Sequence, residues 1–177
     1  LFAAMEGVLV DDAGVATGVQ VAWTAKGTWR TPGEFDPDDP DAGDIYMHRS
    51  GLDNAGEDID TLIEFSNVTS AFADGYDVYV YVGADQDGRT GEVTLNSDPP
   101  IYFLSNTKDD EPGGHTQATA TDAGSAFPSN YVLYEDVSGD SFTIVEENIL
   151  GAGTLVHGIQ IDGVPAAVIT GDMDCDG

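Results

Sequence analysis

Clustered carboxylates are the residues of this sequence that could do chemistry, because carboxylate oxygens are the ligands that hard cations such as calcium prefer. One cluster lies between two apolar runs and the other in an acidic loop, residues 31–44. A hairpin turn explains the first cluster equally well. The spacing in the second matches no known calcium-binding loop. The candidate calcium ligands are Asp85 and Asp87 in the first cluster and Asp36, Asp38 and Asp39 in the second.

Aromatic side chains are the second candidate, because a flat ring with a polar edge suits stacking against a sugar ring. Trp29 and Tyr46 flank the acidic loop, and we take these two as the candidate carbohydrate-binding residues. Strand alternation predicts that Trp23 and about half of the tyrosines pack in the core instead. The aromatic residues considered for one sugar-stacking face are Trp23, Trp29, Tyr46, Tyr79, Tyr81 and Tyr102.

No residue pattern points to catalysis, and we predict that the protein is not an enzyme. His48, His115 and His157 are far apart in the sequence and lack the spacing of metal ligands. Nucleophile elbow, phosphate loop and zinc signature are all missing from the sequence. The acids are so numerous that any pair could be chosen for a glycosidase mechanism, so no pair is indicated.

Asn67 begins the sequon Asn67-Val68-Thr69 and is a candidate for N-glycosylation on a turn. Three-residue sequons also arise by chance, so the plainer interpretation is an unmodified turn.

Composition limits the partners of these residues. The 177 residues fit one domain, and 33 acidic against five basic residues give a net charge of −28. Such an excess repels nucleic acid and anionic membrane surfaces, so we expect no nucleic-acid partner. A single cysteine, Cys175, excludes an intrachain disulfide. The sequence has no apolar run long enough for a membrane span.

The elements that must position the candidate residues are predicted to be short strands. Alternating apolar and β-branched residues recur throughout, separated by turns such as Pro112-Gly113-Gly114, and no helical period is sustained. Nine or ten such strands imply an all-β sandwich or barrel. The predicted strands are 19–24, 59–65, 76–82, 92–95, 101–104, 116–120, 131–134, 141–145 and 155–161, with 8–10 as a weaker candidate.

Residues 10–162 resemble a β-sandwich repeat of large secreted proteins from planctomycetes and related bacteria. The likeness lies in the order and spacing of segments 16–23, 27–29, 47–53, 76–81, 89–91 and 157–161. It implies an antiparallel β-sandwich of the galactose-binding jelly-roll type and an extracellular or cell-surface location. The function of such repeats is largely unassigned. They usually begin with a further strand, which implies that another chain could supply one here.

The segment after the sandwich resembles the opening of a dockerin-like or EF-hand calcium loop. Asp172, Asp174 and Asp176 alternate before Gly177, which is the spacing that brings side-chain oxygens to one calcium ion. The loop is cut before its later ligands, so we expect little or no calcium binding by this segment alone. We therefore divide the chain into a β-sandwich, 1–163, and a linker or tail, 164–177.

Two functions remain open from the sequence. The first is a non-catalytic extracellular module that binds carbohydrate or another surface polymer, binds calcium, or acts as a spacer. The second is a structural subunit that forms a homopolymer, a filament or layer, by exchanging residues 1–10 between copies. Burial of Leu1, Phe2 and residues 8–10 within their own sandwich would count against strand exchange.

Overall fold

The fold is an all-β sandwich of eleven strands within the residues that the computed structural model describes, 3–11, 13–30, 50–55, 59–105 and 114–163. Two short 3-10 helices, Val68–Ser70 and Ala123–Ser125, lie in connections. In these ranges no helix is long and apolar enough to cross a membrane. The strands are β1 Ala3–Val10, β2 Ala16–Ala25, β3 Gly27–Arg30, β4 Ser50–Asp53, β5 Thr61–Ser66, β6 Tyr76–Gly83, β7 Thr90–Leu95, β8 Ile101–Leu104, β9 Tyr131–Val137, β10 Ser141–Leu150 and β11 Leu155–Gly163.

The topology is that of a jelly roll. One sheet has the order β1-β2-β5-β10-β7-β8 and the other the order β3-β4-β11-β6-β9. The last eight strands form nested antiparallel pairs, namely β4 with β11, β5 with β10, β6 with β9, and β7 with β8. Such nesting arises when a long antiparallel ribbon folds over on itself into two sheets. The predicted antiparallel β-sandwich of jelly-roll type is therefore confirmed.

The first strand completes its own sheet. β1 pairs antiparallel with β2 of the same chain, with Ala3 opposite Ala25. Leu9 packs against the core, whereas Val8 and Val10 are 52% and 60% exposed on the other face of this edge strand. The pairing supports a self-contained sandwich more than an exchanged first segment. Leu1 and Phe2 lie outside the described residues.

The core follows directly from strand alternation. Val78, Val80 and Val82 of β6 are fully buried, while the tyrosines between them face away from the core. Phe65 and Phe142 lie opposite each other on β5 and β10, and their rings stack with centroids 4.5 Å apart. Burying these side chains supplies most of the stabilisation, at about 25 cal/mol per Å² of apolar surface.

The strand predictions need two corrections. The predicted strand 116–120 forms only single bridges, from Gln117 to Tyr131 and from Ala120 to Tyr102. These partners belong to different sheets, so the segment crosses between the sheets and cannot join a ladder. β3 and β4 were not predicted, because four residues are too few to establish an alternating pattern.

Candidate functional site

A concave pocket of about 230 Å³ lies where β3, the end of β4 and two connections meet at one end of the sandwich. We call it the end pocket. β3 supplies an aromatic side chain, the end of β4 and the β6–β7 loop supply carboxylates, and the β10–β11 loop supplies backbone and small side chains. Ligand sites often lie on loops held by a rigid scaffold. Its lining residues are Trp29, Asp53, Ala55, Asp85, Arg89, Ala152, Gly153 and Leu155.

Arg89 ties two of these loops together. Its Nη1 lies 2.5 Å from Asp85 Oδ1 and donates to the Gly153 carbonyl at 2.8 Å. The Arg89 side chain is only 13% exposed and that of Asp85 is 33% exposed, so water screens the pair only in part. A Cβ at Gly151, where φ is +115°, would lie 2.8 Å from Arg89 Cγ. Glycine is therefore required where the β10–β11 loop passes over the aliphatic part of the Arg89 side chain.

Ser105 braces the β6–β7 loop from the opposite side. Its buried hydroxyl accepts from the Arg89 amide at 2.9 Å and donates to the Gln86 carbonyl at 2.7 Å. The Ser105 carbonyl also accepts from Gly88 N at 2.9 Å. These hydrogen bonds fix the loop, but the hairpin interpretation of the Asp85 and Asp87 cluster is wrong, because β6 and β7 lie in different sheets and the loop crosses from one sheet to the other.

Trp29 and Asp53 form the opposite wall of the end pocket. Trp29 is half-buried, so part of its ring is available as an apolar surface. Asp53 Oδ1 accepts from the Ala55 amide at 2.7 Å, which holds Ala55 at a φ of +54°. The pocket therefore combines one large aromatic ring with hydrogen-bonding groups of both kinds, carboxylate acceptors and a guanidinium donor.

A buried polar network lies behind the end pocket. Glu146 of β10 is fully buried, and both its carboxylate oxygens accept from Asn54 Nδ2 at 3.2 Å. The Thr154 hydroxyl donates to Glu146, and Thr154 N donates to Asn54 Oδ1 at 3.0 Å. Asn54 follows Asp53 and Thr154 follows Gly153, so this network fixes two edges of the pocket.

Burial gives Glu146 an unusual protonation state. Removal from water raises the pKa of its carboxyl from 4.5 to about 7. The Thr154 and Thr61 hydroxyls lower this pKa in part, and the charges of Asp53 and Asp60 raise it. Alternation along the sequence could have predicted the burial of Glu146, because Phe142, Ile144 and Glu146 occupy successive inward positions of β10.

The structure brings only two of the predicted site residues together, Trp29 and Asp85. Asp87 is exposed on the β6–β7 loop. In the described part of the chain, no group of three or more His, Cys, Asp or Glu side chains is arranged to hold a metal ion. Calcium binding remains a prediction. The predicted site residues that lie outside the described residues are Asp36, Asp38, Asp39, Tyr46, Asp172, Asp174 and Asp176.

The Asn67 side chain of the sequon forms a hydrogen bond within the fold. Asn67 adopts a left-handed conformation at φ +59°, and its Nδ2 donates to the Gly18 carbonyl at 2.9 Å. This is the nitrogen to which a glycan would be attached, so a glycan would lie beside the contact between β2 and the turn after β5. Glycosylation of Asn67 remains a prediction.

The candidate aromatic face is divided among different surfaces. Trp23 packs against the core and lines an apolar cleft of about 510 Å³ between the two sheets. Tyr102 lies on β8 of the other sheet from Tyr79 and Tyr81, which share the outer face of β6. The interior placement of Trp23 agrees with the alternation, whereas Trp29 lines both this cleft and the end pocket.

We expect Arg89→Met to loosen the end pocket and to lower the free energy of unfolding. The change removes the ion-pair partner of Asp85 and the donor to the Gly153 carbonyl. This should cost about 1–3 kcal/mol, toward the lower end because Asp85 is partly exposed. Urea denaturation measures the loss. Arg89→Lys is the control that keeps the charge and should lose less. Equal stability of the Met variant and the unaltered protein would contradict this role.

Comparison with protein families, curated proteins and solved structures gave no match for this chain.

Proposed function

We propose that this protein is a non-catalytic extracellular module that binds carbohydrate in the end pocket. The observation that carries the proposal is the convergence of Trp29, Asp53, Asp85 and Arg89 on one concave pocket. Sugar rings present an apolar face and many hydroxyls, so they need both an aromatic surface and hydrogen-bonding groups. The buried network behind the pocket holds these groups in place before a ligand arrives, which lowers the entropic cost of binding.

The size of the end pocket favours a single sugar ring or a chain end. Its volume of about 230 Å³ is below the roughly 300–1,000 Å³ typical of clefts for drug-sized ligands. Arg89 donates and both carboxylates accept, so a hydroxyl-rich ring could be bound from several sides. A neutral sugar fits this site better than an acidic one, because the protein carries a charge of −28.

A binding role fits the carboxylates better than a catalytic one. Asp85 is paired with Arg89, and Asp53 accepts from a backbone amide. Glu146, whose pKa of about 7 would suit a general acid, is fully buried and inaccessible to a substrate.

An extracellular location and calcium bound by the acidic segments belong to the same proposal. They account for the charge of −28, which counterions in the medium would screen.

Trp29→Ala tests the proposal. A glycan array followed by calorimetry should identify a saccharide whose affinity falls at least about tenfold in the variant. We expect this because loss of a stacked aromatic contact of roughly 1.5 kcal/mol corresponds to a factor of about ten. Tyr102→Ala, which removes a ring on β8 that does not line the pocket, should bind as the unaltered protein does. Equal affinities of the Trp29→Ala variant and the unaltered protein for every saccharide bound would refute the proposal.

A further inference from the structure

A second aromatic surface lies on the outer face of the β3-β4-β11-β6-β9 sheet. We call it the tyrosine face, formed by Tyr79 and Tyr81 of β6, Tyr131 of β9 and His115. Tyr131 lies 6.1 Å from Tyr79 and 6.3 Å from Tyr81, measured between ring centroids. The His115 ring lies 5.6 Å from Tyr81 and 6.3 Å from Tyr131. The four rings are therefore contiguous, and the three tyrosines are half-exposed.

Fixed polar groups border these rings. Tyr81 Oη donates to Gln160 Oε1 at 3.0 Å, across the β6–β11 ladder. Gln160 Nε2 in turn donates to Asp162 Oδ1 at 2.9 Å and Oδ2 at 3.0 Å. Each carboxylate oxygen has two lone pairs, so Asp162 can still accept from a ligand hydroxyl. The tyrosine face thus offers ring surfaces and hydrogen-bond acceptors side by side.

The electrostatics of the tyrosine face select against anions. Burial raises the pKa of the Tyr79 hydroxyl, and the nearby charges of Asp162, Asp77 and Glu135 raise it further. These three carboxylates come from all three strands of this surface, β11, β6 and β9. An anionic polymer would meet like charges here, whereas the hydroxyls of a neutral polymer would find acceptors.

We infer that the tyrosine face is a second binding surface, whose occupant is a neutral polysaccharide chain. The rings suit stacking against successive sugar rings, and the bordering carboxylates complement hydroxyl donors. An open face accommodates the middle of a polymer, which the end pocket cannot. This inference does not depend on the end pocket, because the two sites share no residue.

Affinity gel electrophoresis with neutral and anionic polysaccharides tests the inference. We expect hydroxyethyl cellulose or galactomannan in the gel to retard the protein, and carboxymethyl cellulose to retard it at least tenfold less at low salt. The double variant Tyr81→Leu/Tyr131→Leu keeps apolar side chains in the sheet but removes the rings. It should lose at least tenfold in apparent affinity for the neutral polymer, while circular dichroism shows an unchanged fold.

Two further variants separate this surface from other parts of the protein. Trp29→Ala should leave the retardation unchanged, and so should Tyr102→Ala. Any of three results would overturn the inference: no retardation by either neutral polymer, full retardation of the tyrosine double variant, or loss of retardation in Trp29→Ala. If Trp29→Ala abolishes binding to small saccharides and leaves polymer binding intact, both sites are supported separately.

Discussion

Replacing Glu146 by Gln is expected to stabilise the protein at neutral and alkaline pH and to remove part of its pH dependence. The carboxyl has a pKa of about 7 in the folded protein against 4.5 in the unfolded chain. The protonated Glu146 carboxyl therefore makes its full contribution to the free energy of unfolding below pH 4.5. That contribution is lost as the pH rises through about 7. At 1.36 kcal/mol per pH unit, this interval corresponds to about 3 kcal/mol. Glutamine cannot ionise, so it avoids this loss.

Denaturant unfolding between pH 4 and pH 8 measures this effect. The amide oxygen of the introduced glutamine can still accept from Asn54 and Thr154, so the two proteins should differ little near pH 4. At pH 8 the variant should be about 3 kcal/mol more stable. Glu64→Gln is the matched control, because it makes the same charge change at an exposed position of the neighbouring strand β5. Parallel curves for Glu146→Gln and the unaltered protein would rule out a titrating buried carboxyl.

Alanine at Gly91 should destabilise the sandwich by about 2–3 kcal/mol. A Cβ at this position would lie 2.4 Å from Phe103 Cζ and 2.7 Å from Phe103 Cε1. Phe103 is fully buried, and Gly91 lies directly opposite it on the β7–β8 ladder. An aromatic ring in a packed core cannot move aside without disturbing its neighbours, and overpacking of this kind typically costs about 1–3 kcal/mol.

Thermal and urea denaturation of Gly91→Ala measure this cost. Gly27→Ala is the matched control, because it makes the same change in strand β3 with no atom within 4 Å of the new Cβ. The control should change stability by a few tenths of a kcal/mol at most. A Gly91→Ala variant as stable as the control would mean that β7 and β8 are less tightly packed than these distances imply.

The fold could be predicted largely from alternation. β6 is the clearest example, since three valines point inward and the residues between them point outward, as the period of two requires. The pairing of strands that are distant in the sequence could not be predicted in this way. β5 pairs with β10 about eighty residues later, and no local pattern encodes such a contact. β3 and β4 were missed because each depends on tertiary pairing with the other and, for β4, with β11.

The end pocket could be predicted only in part. Trp29 and Asp85 attracted attention by their residue types, but they are 56 positions apart and nothing local joins them. Arg89 was not predicted because its role depends on Asp85 and the Gly153 carbonyl, and the latter lies in a different loop. Tyr131 was likewise not among the candidate aromatics. It joins Tyr79 and Tyr81 only because β9 lies beside β6.

The most direct test of the central claim is a nuclear magnetic resonance titration with the tightest-binding saccharide from the glycan array. Carbohydrate binding in the end pocket should shift the Trp29 indole N–H signal and the backbone amides of Asp53, Ala55, Arg89 and Gly153. The Trp23 indole lines the apolar cleft that Trp29 also lines, so its signal should shift less than that of Trp29. Shifts confined to other parts of the sandwich, or no shift at saturating saccharide, would contradict the end pocket as the binding site.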